Sequence, residues 1–270
     1  MPKTRTGRRA AIATAVLGVA VAAAAALSFS GEITDRLYLW RNFGRLSSSA
    51  EATYDPWSGE FRAEYASGSE LRRDVLFPGG PVPAKHLTWG TPLVPQCNFA
   101  FSGNTDGFFL FPIPFRETCA LEFFLEVPLM RSDGRVSAVI MSSPDGQDRL
   151  AASFATLELW REGKRTRQWP AQEPRFQQPP TSWIRGAGDV RLRVERSPEP
   201  GGEDSRVRIW YDTEGENVLV NSSVLPGARG FAGFSWYMAK FIVRRVSIRG
   251  TLDRPAAVKL LHEKAGGRGF

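Results

Sequence analysis

Hydrophobic and polar residues alternate through the last part of the chain. Between Phe231 and Asp253 (FAGFSWYMAKFIVRRVSIRGTLD), Ile242, Val246 and Ile248 share one side while Arg245, Ser247 and Arg249 share the other. A period of two closed by Gly250 predicts a half-buried strand. The glycines of LPGARGFAGF supply a turn before it, so 231–237 reads as one strand and 240–249 as its antiparallel neighbour. Similar runs predict strands at Gln96–Phe101, Gly107–Phe111, Cys119–Val127, Arg135–Met141, Phe154–Arg161, Val190–Glu195, Arg206–Tyr211 and Asn217–Val220. Turn formers separate them: Asp133-Gly134, Pro144-Asp145-Gly146, Glu162-Gly163, Pro200-Gly201-Gly202 and Glu214-Gly215. Short antiparallel strands with no long helix between them predict an all-β sandwich or barrel. Residues 50–96 are punctuated by Pro and Gly and read as a loop-rich approach carrying an edge strand or two.

The N-terminal pattern is different. Residues 10–29 carry no charge and follow a basic tail. Either they form a signal anchor, since about 20 apolar residues span a bilayer, or they are a cleaved signal peptide. In both readings the basic tail stays cytoplasmic and the rest of the chain crosses. From Glu32 to Leu46, Ile33, Leu37, Trp40 and Phe43 recur at helical spacing. This predicts an amphipathic helix, lying at the membrane interface with Tyr38 and Trp40 at headgroup depth, or else packed against the folded body. The expected organisation is therefore a basic tail and anchor (1–30), a juxtamembrane helix and linker (31–49), a β-sandwich (50–253) and a C-terminal tail (254–270). The location expected is the cytoplasmic membrane, single-pass, with the bulk on the periplasmic or extracellular side.

Charge narrows the function. The formal net charge is +7, but Lys3, Arg5, Arg8 and Arg9 of the tail supply four of those charges. The remainder is too mildly basic for a nucleic-acid binder, and no nucleic-acid-binding motif is present. The basic residues are nonetheless patterned. Alternation sets Arg191 and Arg193 opposite Val190, Leu192 and Val194, and sets Arg206, Arg208 and Trp210 opposite Val207, Ile209 and Tyr211. If these strands lie near the closing one, Arg245 and Arg249 extend a basic, Trp-bearing face. That face would receive an anionic polysaccharide, lipid headgroups or an acidic subunit, or it is simply a solvated face balanced by Glu195. The run Phe108–Phe115 does not alternate, which predicts burial on both sides.

The order of strands resembles a known architecture. ALEFFLEV, then SAVIMSSPDG, a Trp-bearing strand and a proline-rich loop with Trp183 come first. DVRLRVE, RVRIWYD and the closing GFAGFSWY and FIVRRVSIRG follow. Over about residues 84–253 this looks like the concanavalin A-like lectin/glucanase superfamily. The resemblance implies a two-sheet antiparallel jelly roll whose concave face often binds glycans. It also implies a test for catalysis, because retaining glucanases of that superfamily carry carboxylates at i, i+2 and i+4 of one strand. Glu122 and Glu126 take the outer positions, but Phe124 stands in the middle. They are therefore weak catalytic candidates.

Other chemistry is sparse. His86 and His262 are far apart and have no metal-spaced partners. Asp145-Gly146-Gln147-Asp148 reads as a turn rather than a calcium loop, and Asn221-Ser222-Ser223 as a loop or a glycosylation acceptor. No metal or cofactor is expected. Cys97 and Cys119 either pair, closing a loop worth roughly 3 kcal/mol, or remain buried thiols. The function expected first is a non-catalytic accessory subunit binding integral membrane proteins, with Leu37, Tyr38, Trp40 and Phe43 as contacts. The alternative is a carbohydrate-binding or glycoside-hydrolase-like module at the cell envelope.

Overall fold

The computed structural model describes residues 31–65, 74, 87–89, 99–101, 107–153, 156–170, 189–201, 204–213, 216–226 and 229–266. Residues 10–29 and Cys97, Trp183 and His86 lie outside them. Among the described residues no helix is long and apolar enough to cross a membrane.

Among the described residues the first element is a helix at residues 31–42, α1, continued by a 3-10 turn at Phe43–Arg45. Twelve strands follow among the described residues: β1 (Thr53–Tyr54), β2 (Glu60–Tyr65), β3 (Leu87–Trp89), β4 (Phe99–Phe101), β5 (Gly107–Ser142), β6 (Arg149–Ala152), β7 (Thr156–Arg161), β8 (Lys164–Pro170), β9 (Asp189–Pro198), β10 (Asp204–Thr213), β11 (Glu216–Pro226) and β12 (Gly230–Leu252). A closing helix, α2 (Arg254–Ala265), ends the described chain.

The two longest strands build two layers. In the first, β12 pairs with β5 as Val246↔Phe123, Ile248↔Leu121 and Gly250↔Cys119. One set of numbers climbs as the other falls, which is antiparallel pairing. This layer runs β11–β10–β9–β5–β12–β2–β1, with β4 and β3 also attached through β12. In the second, residues 233–236 of β12 face 107–110 on one side and 136–139 on the other, and β6, β7 and β8 extend that side. The layers pack face to face: Phe123 of the first meets Phe234 of the second at a ring distance of 5.6 Å, and Tyr65 meets Phe111 at 5.4 Å. The result is an antiparallel β-sandwich.

One expected pairing is absent. Residues 231–237 and 240–249 are not a hairpin but one extended run, β12, that passes from one layer into the other. No turn former stands at Met238-Ala239, so the chain has no reason to reverse there. The run Phe109–Phe115 is buried throughout, as its lack of alternation requires. Leu39 of α1 and Leu260 and Leu261 of α2 join the same buried cluster.

The C-terminal segment is a helix rather than a tail. Asp253 caps it, its carboxylate accepting from the Ala256 N–H at 3.3 Å, and a proline stands in its first turn. Asn221 also departs from expectation. It is buried within β11, and its amide donates to the Pro170 carbonyl at 3.1 Å. Asp145 accepts from Ser143 Oγ and from the Gln147 N–H, as a turn residue does.

Cys119 is a buried free thiol. Burial pushes it up to about 12, with the Arg196 guanidinium pulling the other way. The thiolate is the reactive form, so Cys119 should resist iodoacetamide at pH 8 in the folded protein and be fully alkylated in denaturant. Peptide mass spectrometry reads this directly, and alkylation of the folded protein at Cys119 would contradict the burial.

Candidate functional site

The outward face of the first layer gathers the basic residues singled out in the sequence. On β9, Leu192 and Val194 are buried, so Arg191 and Arg193 turn outward. On β10, Val207, Ile209 and Tyr211 are buried and Arg206, Arg208 and Trp210 turn outward. On β12, Val246 and Ile248 are buried, leaving Arg245, Ser247 and Arg249 outside. β9 and β12 are not neighbours. They flank β5, which places Glu122 and Phe124 between the two sets of arginines.

Register aligns these side chains in rows across the strands. One row runs Trp210, Arg193, Glu122, Ser247, Glu64. The next runs Arg208, Glu195, Ala120, Arg249, Arg62. Partners directly opposite on antiparallel strands share a face, so five strands present one continuous polar surface.

Between β9 and β2 this surface forms a groove of about 490 Å³, lined by Arg62, Arg191, Arg193, Arg245 and Arg249 against Glu64 and Glu122. Five guanidinium groups thus face two carboxylates. Arg191 donates to Glu122 at 2.8 Å, and Glu64 accepts from both Arg62 and Arg245. Arg62, then Arg245, hold the Glu64 carboxyl below its ordinary value. Glu195 pairs with Arg193 at 3.2 Å and with Arg249 at 3.1 Å. Flat aromatic surfaces stand beside the charges, with Arg193 lying 4.3 Å over the Trp210 ring and Arg191 5.6 Å from that of Phe124.

Arg206 and Arg208 share the face but stand outside the groove lining. Arg206 clasps Glu199 through two nitrogens, and Arg208 reaches Ser197 Oγ at 3.5 Å. Glu126 continues β5 opposite Asp189 and Ile242, and its side chain lies outside the described residues. Phe124 shares the outward side with Glu122, so the middle position of the expected carboxylate row is a ring.

The sequence reading missed two contributors to the groove and one buried arginine. Arg62 and Glu64 come from β2, where the EFRAEY alternation buries Phe61, Ala63 and Tyr65 and exposes what lies between. Arg196 sits on the buried side of β9 beside Cys119, 2% exposed, and donates to the Arg116 carbonyl at 2.7 Å. Burial lowers its proton affinity. An arginine among Leu192 and Val194 gives no signal in an alternation count.

No protein-family model matches the chain, and no curated protein matches it. Solved structures are similar to it in part. A carbohydrate-binding module, CBM66, from Bacillus subtilis is 13% identical over 67% of this chain and 96% of that one, with a TM-score of 0.42. Lectin II from Ulex europaeus is 8% identical over 71% and 98%, with a TM-score of 0.41. An engineered GH43 glycoside hydrolase is 13% identical over 70% of this chain but only 39% of its own, with a TM-score of 0.48.

Proposed function

We propose that this protein is a non-catalytic binding module whose basic groove holds an acidic polysaccharide of the cell envelope. The observation that carries this reading is the groove itself, where five arginines outnumber the three glutamates they pair with, Glu64, Glu122 and Glu195, and aromatic rings stand on the same face. Guanidinium groups match carboxylates in a planar, two-pronged geometry, and ring faces suit the apolar faces of sugars. A uronic-acid polymer offers both. Catalysis has less behind it: Glu122 is held by Arg191, and Phe124 replaces the central carboxylate of the expected row. The accessory-subunit role expected first from the sequence has no comparable feature in the groove. It gives way to the polysaccharide reading.

Binding of the full chain to polygalacturonate, with neutral dextran as control, tests this. Arg245 and Arg249 have side chains 58% and 54% exposed and line the groove from β12. Replacing both by Gln should weaken polygalacturonate binding about 100-fold, since two charge-assisted hydrogen bonds from half-exposed side chains each sit at the low end of roughly 1.5–3 kcal/mol. Glu122→Gln should leave polymer length unchanged over time, as in the native protein. Equal affinity for dextran, or undiminished binding by the double variant, would overturn the reading.

A further inference from the structure

Helix α1 has two unlike sides. One holds it to the sandwich: Leu39 is fully buried, and the Tyr38 ring stacks on His262 of α2 at 4.7 Å. The other carries Ile33, Leu37 and Trp40, which are 44%, 51% and 52% exposed. At about 100° per residue these three fall within a stripe roughly 60° wide. Leu39 and Tyr38 lie well away from it. About half of each of these side chains therefore stays open to solvent. Of the four contacts expected from the sequence, Leu37 and Trp40 belong to it, while Tyr38 and Phe43 pack against the body.

The stripe continues onto the sandwich. Trp57, in the turn between β1 and β2, is 75% exposed, and the Arg36 guanidinium sits 5.8 Å from its ring centroid. Arg254 fixes that junction from α2, donating to the Trp57 carbonyl at 3.3 Å and to Glu32 at 3.1 Å. Arg36 thus links the helix to Trp57, and two tryptophans and two aliphatic side chains stand exposed around it. Arg36 and Arg41 flank it on opposite sides of the helix, with Glu32 paired to Arg36.

We propose that this patch of Ile33, Leu37, Trp40 and Trp57 docks onto a lipid surface. Two features choose lipid over a protein partner. Residues 10–29 carry no charge and only Ser30 separates them from the start of α1, so the helix begins next to the segment whose composition suits a bilayer. The side chains are also the kind that suits an interface: indoles sit at headgroup depth, with aliphatic groups below and flanking cations against anionic headgroups. A second copy of the chain fits less well. Four side chains expose on the order of a few hundred Å², below the roughly 800 Å² each partner gives to a standard protein interface.

Docking would also set the standing of the groove. β2 leaves the Trp57 turn at Glu60 and carries Arg62 into the groove two residues later, about 7 Å along the strand. The patch and the groove are separate sites, so each is tested alone.

The full chain in phosphatidylcholine/phosphatidylglycerol nanodiscs with brominated acyl chains provides the test. Residues 1–30 contain no tryptophan, so bromine quenching reports on the folded part. Trp40→Phe with Trp57→Phe should remove more than half of the quenched fluorescence, and Leu37→Asp, which keeps every tryptophan, should reduce it. An unchanged quenched fraction in both would overturn the proposal. So would quenching of Trp40 and Trp57 by aqueous acrylamide instead of bromolipid, shielding from both quenchers by another chain, or failure of the chain to enter the discs. Polygalacturonate binding by the same variants should stay native, which separates this patch from the groove.

Discussion

Gly233→Ala is expected to leave little folded protein. A Cβ built on Gly233 would lie 1.9 Å from the Phe109 carbonyl oxygen and 2.8 Å from the Leu110 Cα. Both are backbone atoms, so no rotamer change relieves the clash. Nor can β12 slide away, because this part of it is paired on both sides, to 107–110 and to 136–139. The strand must separate from β5 or the two layers must part. Either cost belongs with the largest single-residue effects, above about 4 kcal/mol, or a loss of about 8–16 °C in melting temperature for a domain of this size. Gly44→Ala is the matched control, since nothing lies within 4 Å of its added Cβ. It should melt within about 2 °C of native. Circular dichroism melts of the two variants decide the matter, and a Gly233→Ala protein that melts with the native one would refute the close approach. A Cβ added to Gly250 would likewise lie 2.2 Å from the Thr118 carbonyl oxygen, so β12 approaches β5 closely in both layers.

Much of this was legible because alternation is a local property. Each of Val190–Glu195, Arg206–Tyr211 and 245–249 declares its buried side from its own residues, and the structure puts the complementary side outward in each. What alternation cannot give is the order of strands. That β5 would lie between β9 and β12, bringing Glu122 to Arg191, depends on long-range pairing that no neighbour in sequence encodes. The same limit explains the mistaken hairpin at 231–249: two strand-like runs with a short gap look alike whether the chain reverses or continues. Only the missing turn former at Met238-Ala239 distinguished them. The helix α2 had a readable signal in Asp253-Arg254-Pro255, a cap followed by an early proline. Trp57 had none, because its importance comes from standing beside Arg36 of another element.

Asp74→Ala is expected to loosen the joint between α1 and the sandwich. Its Oδ2 lies 3.0 Å from Ser47 Oγ, 2.6 Å from the Ser48 N–H and 2.8 Å from the Tyr65 hydroxyl, and the carboxylate is itself buried. Ser47 and Ser48 follow α1, whereas Tyr65 ends β2, so one oxygen ties the linker to the first layer. Alanine would remove this shared acceptor from a dry site, with Ser47 Oγ keeping the Tyr65 hydroxyl at 2.9 Å. Hydrogen bonds to charged groups are worth roughly 1.5–3 kcal/mol, and several share this one, so a loss of about 3 kcal/mol is expected. That corresponds to a fall of about 6–12 °C in melting temperature. Asp74→Asn keeps a carbonyl acceptor in place and should lose less than half as much. The two variants melting alike would mean that the oxygen does not bear this load. Hydrogen exchange locates the effect, since residues 31–49 should open before the strands in Asp74→Ala. With the joint open, α1 and the β1–β2 turn no longer move as one body. Bromolipid quenching of Trp40 should then persist while that of Trp57 falls, because only the helix stays next to the uncharged run.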